Sequence, residues 1–128
     1  MNGLHILAEF HDCAGERRLL TGADALADVC RRACVGAGLD VVTAAFHQFP
    51  GAGATGALVL AESHLAIHTW PELNAATFDL YVCNHSRDNR AAAEAAFATL
   101  EQAFLPQRVV RRDIKRGEIQ APLPAPVI

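Results

Sequence analysis

The stretch TGALVLAESHLAIHTWPE, residues 55–72, decides the fold. TGALVLA (55–61) and HLAIHT (64–69) each read as a β-strand, joined at Glu62-Ser63. In the second, Leu65 and Ile67 alternate with His64, Ala66 and His68, the two-residue period of a strand with one covered face. His64 and His68, four apart, therefore project from the same face. Trp70-Pro71 ends the run, since proline cannot donate to the ladder.

Working outward, AATFDLYVC (75–83) reads as a further strand and NHSRDN (84–89) as a polar loop. Upstream, PGAGA (50–54) is a turn and DVVTAAFHQF (40–49) a strand. Residues 4–10 (LHILAEF) form a first strand, apolar on both faces and so central, and residues 11–22 carry polar and turn residues. Leu26, Val29, Cys30 and Ala33 recur at helical spacing within a helix from Ala23 to Val35, capped by Thr21 or Asp24 and ended by Gly36 and Gly38. A second helix, 90–104, aligns Phe97, Leu100 and Phe104. Residues 107–115 are the last strand. The order β-α-β-β-β-β-α-β has only two long helices and mostly short links. It predicts an α+β two-layer sandwich, a mainly antiparallel sheet with both helices on one face.

The 128 residues fit a single domain, 1–128. A hydrophobic share of 52% fills an ordinary core, and a net charge of -3 gives no purchase on nucleic acid. The RRDIKRG run (111–117) reads as a solvated strand end. No segment approaches the ~18 apolar residues of a membrane helix, and the N-terminus lacks a basic region, so a soluble, cytoplasmic protein is expected. The four cysteines form no CxxC pair. Cys30 and Cys34 share a helix face as small core residues. The tail 118–128, ending in APLPAPVI, is expected to be loosely held.

The central hairpin concentrates reactive groups: the Ser63 hydroxyl, the His64 and His68 imidazoles, the Glu62 and Glu72 carboxylates and the Trp70 indole, with Cys83 on the next strand. Residue types alone leave three readings open. The first is a polar hairpin with satisfied histidines. The second is a metal site using His64 or His68 with Cys83 and His85. The third is a Ser-His hydrolase, although no GxSxG elbow is present.

AESHLAIHTWPE (61–72) resembles the processing and active-site segment of the bacterial and archaeal S-adenosylmethionine decarboxylases. LHILAEFHDC, VVTAAFHQFPGAGATG and the closing IKRG extend the resemblance over residues 3–117. It implies a proenzyme cut between Glu62 and Ser63 into chains 1–62 and 63–128, with Ser63 becoming a pyruvoyl cofactor that forms a Schiff base with the substrate amine. It assigns His68 to proton transfer in processing, imidazole being the side chain that ordinarily titrates nearest neutrality. Cys83 matches the family's proton donor in decarboxylation. Phe49, Leu65, Trp70 and Glu72 match substrate-binding positions, with Glu72 expected on the ribose hydroxyls. The product would feed spermidine synthesis. The implied partners are S-adenosylmethionine and a second copy, in a homodimer of αβ protomers; no metal is implied.

The chain departs from the family in two places. Thr55 stands where a serine supports processing; it keeps the hydroxyl but stiffens χ1. After Glu72 the family reads close to YGYAAVDVFTCG. Here LNAATFDLYVCNHSRDN loses an aromatic at Ala75, keeps Asp79 and Cys83, and puts Asn84-His85 in place of a glycine-led turn. These changes motivate an alternative substrate, ornithine or arginine, with the same pyruvoyl chemistry. A third possibility is an uncleaved paralogue that binds without chemistry.

Overall fold

The computed structural model describes residues 1–122. Six strands form one sheet: β1 (Gly3–Cys13), β2 (Val41–Gln48), β3 (Ala54–Leu60), β4 (Ser63–Trp70), β5 (Ala75–Cys83) and β6 (Pro106–Arg116). Their spatial order is β2-β3-β4-β5-β1-β6, and every neighbouring pair is antiparallel. The expected α+β sandwich is present, and β1 is interior, as its doubly apolar sequence required.

Strand alternation separates the two faces. Ile6, Ala8, Phe10, Leu58, Leu60, Leu65, Ile67, Phe78, Leu80 and Val82 are buried and share one core with the apolar sides of α2 (Ala23–Gly36) and α3 (Arg90–Phe104). Cys30 and Cys34 lie fully inside it. Burial pushes the Cys34 thiol up to about 11, and burial also raises Cys30, so both behave as packing groups. Among the described residues, the opposite face carries no helix. His5, Leu7, Glu9, His64, Ala66, His68, Thr77 and Asp79 stand there half-buried.

Residues 11–22 are not only turn. A short helix, α1 (Arg18–Thr21), buries Leu19 and Leu20. Neither Thr21 nor Asp24 caps α2; its N-cap residue is Gly22, without a side-chain cap. The cap comes from a distant strand. Gln48 Oε1 accepts the Ala23 N–H at 2.6 Å while Gln48 Nε2 donates to Thr21 O at 2.9 Å. Sequence windows miss this because the acceptor is 25 residues away.

The charged run 111–117 lies mostly on edge strand β6, where part of its charge is paired: Arg111 with Glu94 and Asp113, and Lys115 with Glu118. Such an edge resists strand addition. The start of the tail is held more than expected, because Ile119 N–H donates to Met1 O at 3.1 Å. The expectation for residues 123–128 lies outside the described residues. Among those described, no helix is long and apolar enough to cross a membrane.

Candidate active site

The hairpin between β3 and β4 has the tightest link possible for its register. Leu60 pairs with Ser63, leaving Ala61 and Glu62 as a two-residue turn. A positive φ in such a turn is normally supplied by glycine or asparagine. Here Glu62 takes it, at φ 62°. For a residue with a side chain this costs on the order of 1–2 kcal/mol. The strained residue therefore sits directly before the Glu62-Ser63 peptide bond. Glu62 is tied down by its carboxylate, which accepts the Ser86 hydroxyl at 2.6 Å.

Ser63 opens β4 and is buried. Its Oγ accepts the backbone N–H of Cys83 at 3.2 Å. The antiparallel return of β5 thus brings Cys83 beside Ser63, although 20 residues separate them. Cys83 is itself only 3% exposed. Tyr81, two residues earlier, stands edge-on to His5 at a ring-centroid distance of 5.7 Å.

A second cluster forms farther along β4. Thr55 pairs across the ladder with His68, and Thr55 Oγ1 and His68 Nδ1 are 3.0 Å apart, a hydrogen bond. His68 stands between two pockets on the open face. One, of about 320 Å³, is bounded by Glu9, Asp79 and Arg112; the other, of about 410 Å³, by Phe46, His47, Thr55 and Ala66. Trp70 follows on the same face, its ring 6.1 Å from that of His68. Phe49 is exposed and packs edge-on against His47 at 4.7 Å. Glu72 lies in a single 3₁₀ turn, Pro71–Leu73, and lines a pocket of about 450 Å³ with Arg17 and Gln48.

The structure therefore gathers the sequence-selected residues into two groups. Glu62, Ser63 and Cys83 meet at one end of β4. Thr55, His68 and Trp70 share the other end. Five residues of strand separate Ser63 from His68, about 16 Å at the usual rise. Within one chain the His68 ring is not in reach of Ser63.

Leu65 requires correction. It is 1% exposed and pairs with Leu58 and Leu80 on the helix-covered face. The alternation that exposes His64 and His68 buries Leu65 together with Ser63 and Ile67, so the Leu65 side chain packs in the core. The metal grouping of His64 or His68 with Cys83 and His85 is not assembled either. His64 instead meets His5 and Asp79. Asp79 Oδ2 accepts from Nε2 of both rings, at 2.8 Å from His5 and 2.6 Å from His64. Burial alone would raise the Asp79 carboxyl, but the two imidazole hydrogen bonds outweigh it and hold it below its ordinary value. Sequence reasoning missed His5 because only the register of β1 on β5 sets it opposite Tyr81 and next to Asp79.

Comparison with known proteins gives a consistent result. The family model described as S-adenosylmethionine decarboxylase matches residues 4–117. An S-adenosylmethionine decarboxylase proenzyme of Fervidobacterium nodosum is 37% identical over 116 residues, covering 91% of this chain and 80% of the relative. One of Moorella thermoacetica is 35% identical over 98% of this chain and 95% of its own length. The crystal structure of the adenosylmethionine decarboxylase from Aquifex aeolicus superposes with a TM-score of 0.83 at 28% identity, covering 96% of this chain and 97% of that one.

Proposed function

Since the chain belongs to the S-adenosylmethionine decarboxylase family, we propose that it cuts itself between Glu62 and Ser63 and then removes the carboxyl group of S-adenosylmethionine. The observation that carries this reading is the hairpin: a left-handed Glu62 before a buried Ser63 whose Oγ is held by the Cys83 N–H. The matched family and relatives favour S-adenosylmethionine over ornithine or arginine. The product is an aminopropyl donor suited to spermidine synthesis.

Processing follows from atoms of this chain. Ser63 Oγ attacks the Glu62 carbonyl carbon, and the C–N bond breaks as the amide nitrogen takes a proton. An ester then links the two halves. A base removes the Ser63 α-proton, the Cβ–Oγ bond breaks, and residues 1–62 leave with the carboxylate of Glu62. Water hydrolyses the remaining enamine, by way of its imine, to a ketone and ammonia. Residues 63–128 then begin with a pyruvoyl group. The donor from Cys83 orients the attacking oxygen. Strain at Glu62 raises the energy of the uncut hairpin relative to its products.

When formed, the pyruvoyl ketone supplies the electron sink for loss of carbon dioxide. The residues around Ser63 fit that group: the position is buried, opens a strand, and has the backbone N–H of Cys83 as a donor. Cys83 gives a proton to the substrate carbon that has lost its carboxyl group. Phe49 and Trp70 offer aromatic faces to the sulfonium, an attraction of roughly 0.5–2 kcal/mol. Glu72 accepts hydrogen bonds from the ribose.

His68 must reach a serine that its own strand holds about 16 Å away. The reading is therefore of a homodimer of αβ protomers whose helix-free faces meet. His68 and Thr55 of the partner subunit then serve Ser63 and Cys83. The half-buried pockets beside His68 support this, because they are open on the face that a second copy would cover.

The test is release of labelled carbon dioxide from carboxyl-labelled S-adenosylmethionine, on protein whose cleavage is confirmed by intact mass. Ser63→Ala should remain one chain and release nothing; two fragments from that variant would refute the assignment of the cofactor. Cys83→Ala should cleave but not turn over. Full turnover would remove Cys83 from the reaction.

A further inference from the structure

The single tyrosine of the chain lies next to the reacting end of the site. Tyr81 and Cys83 are two apart on β5, so their side chains start from the same, helix-free face. A tyrosine on such a face would ordinarily stand out into solvent. Tyr81 is instead 9% exposed.

The cause is Gly3. In the β1–β5 ladder Gly3 pairs with Cys83 and His5 with Tyr81. A Cβ at Gly3 would stand 2.6 Å from Tyr81 Cε1 and 3.0 Å from its hydroxyl oxygen. The ring thus leans diagonally across β1 into the space that the missing side chain leaves, which is the position facing Cys83. Two further contacts pin it. Arg116, the partner of Gly3 on β6, places its guanidinium 4.3 Å from the ring centroid. The His5 and His64 rings border it at 5.7 and 5.8 Å.

The hydroxyl therefore sits over the Gly3–Cys83 pair, next to the position from which the thiol projects. Burial first, and then the neighbouring Cys83 side chain, raises the phenol above its ordinary range. A phenol raised in this way keeps its proton and remains a donor. Residue 83 consequently has its backbone N–H fixed on Ser63 Oγ, and its side chain neighbours the Tyr81 hydroxyl across the Gly3 gap.

We propose that Tyr81 is the positioning residue for Cys83: seated over Gly3 and under Arg116, its hydroxyl orients the thiol and donates to the sulfur once that has released its proton. This rests on the reading of Cys83 as proton donor. The proton delivered to the substrate carbon comes from Sγ and is replaced from solvent. Tyr81 donates a hydrogen bond throughout and changes no charge.

The test is Tyr81→Phe, which keeps the ring over Gly3 and the contact with Arg116. Cleavage into two chains and KM should be unchanged while kcat falls about tenfold, the scale of one hydrogen bond to a charged group. The pH profile of Cys83 alkylation, read at that residue by peptide mass, should move up by about one unit. Because Tyr81 is the only tyrosine, replacing all tyrosine by 2-fluorotyrosine, slightly more acidic yet still protonated at neutral pH, changes this hydroxyl alone. Its more acidic phenol is a better donor, so the profile should move down. Unchanged kcat and unmoved profiles in both proteins would overturn the proposal, as would a rise in KM alone. If the unaltered protein releases no carbon dioxide, the parent reading fails. The alkylation profiles still decide the Tyr81–Cys83 link, a shift supporting it and no shift overturning it.

Discussion

Mixing two inactive variants gives the sharpest test of how the site is completed. Ser63 and His68 lie on one strand five residues apart, about 16 Å, whereas proton transfer needs about 3 Å between heavy atoms. No rotamer of a histidine closes that gap, so His68 acts from a second copy or not at all. Ser63→Ala alone should stay uncut, and so should His68→Ala alone. When the two variants are refolded together, each mixed dimer holds one site with both substitutions and one with neither. Random pairing of equal amounts makes about half the dimers mixed, and one chain in each is then competent, so about a quarter of all chains should be cut. The assay is denaturing electrophoresis with intact mass, each variant carrying a distinct tag so that the cut chain is known to be the His68→Ala one. Mixed dimers that form but stay uncut would refute the shared site. Full cleavage of His68→Ala by itself would show that processing does not use His68.

Two other outcomes follow from the geometry. Asp79 is held below its ordinary value by His5 and His64. Its contribution is therefore complete above the ordinary aspartate range and is lost as pH falls through the lowered folded value. Asp79→Asn should cost about 1–3 kcal/mol at neutral pH by urea titration, and the gap to the unaltered protein should narrow on acidification below about pH 4; a gap constant with pH would contradict the assignment. In an uncleavable Ser63→Ala background, Glu62→Gly should stabilise the chain by about 1 kcal/mol, since glycine takes the left-handed turn without strain. A loss of stability there would mean that the Glu62–Ser86 contact outweighs the strain.

Much of the fold was legible. The period of two in 64–69 and the period near 3.6 in 26–33 gave strand and helix with nearly the observed bounds, because each reports which face is covered. The short hairpin link was legible to within one residue: the strand runs put it at Glu62-Ser63, and the turn is Ala61-Glu62, with Ser63 already in β4. The cap of α2 was not, because its acceptor, Gln48, belongs to a remote strand. Leu65 shows a different limit. Motif matching placed it among substrate contacts, while the alternation of its own strand buries it beneath the helices.

The sequence by itself determined the alternation of each strand, the helix faces, the hairpin and the reactive residue types at 62, 63, 68 and 83, since all of these depend on neighbours a few positions away. Tertiary structure alone decided which of them meet. The β4–β5 pairing joins Ser63 to Cys83, and the β1–β5 register brings His5 to Asp79 and opens Gly3 to Tyr81. The same rigid rise of the strand keeps His68 away from Ser63. Register is a property of two strands together, fixed by the burial of one face against the helices, and no single segment contains it.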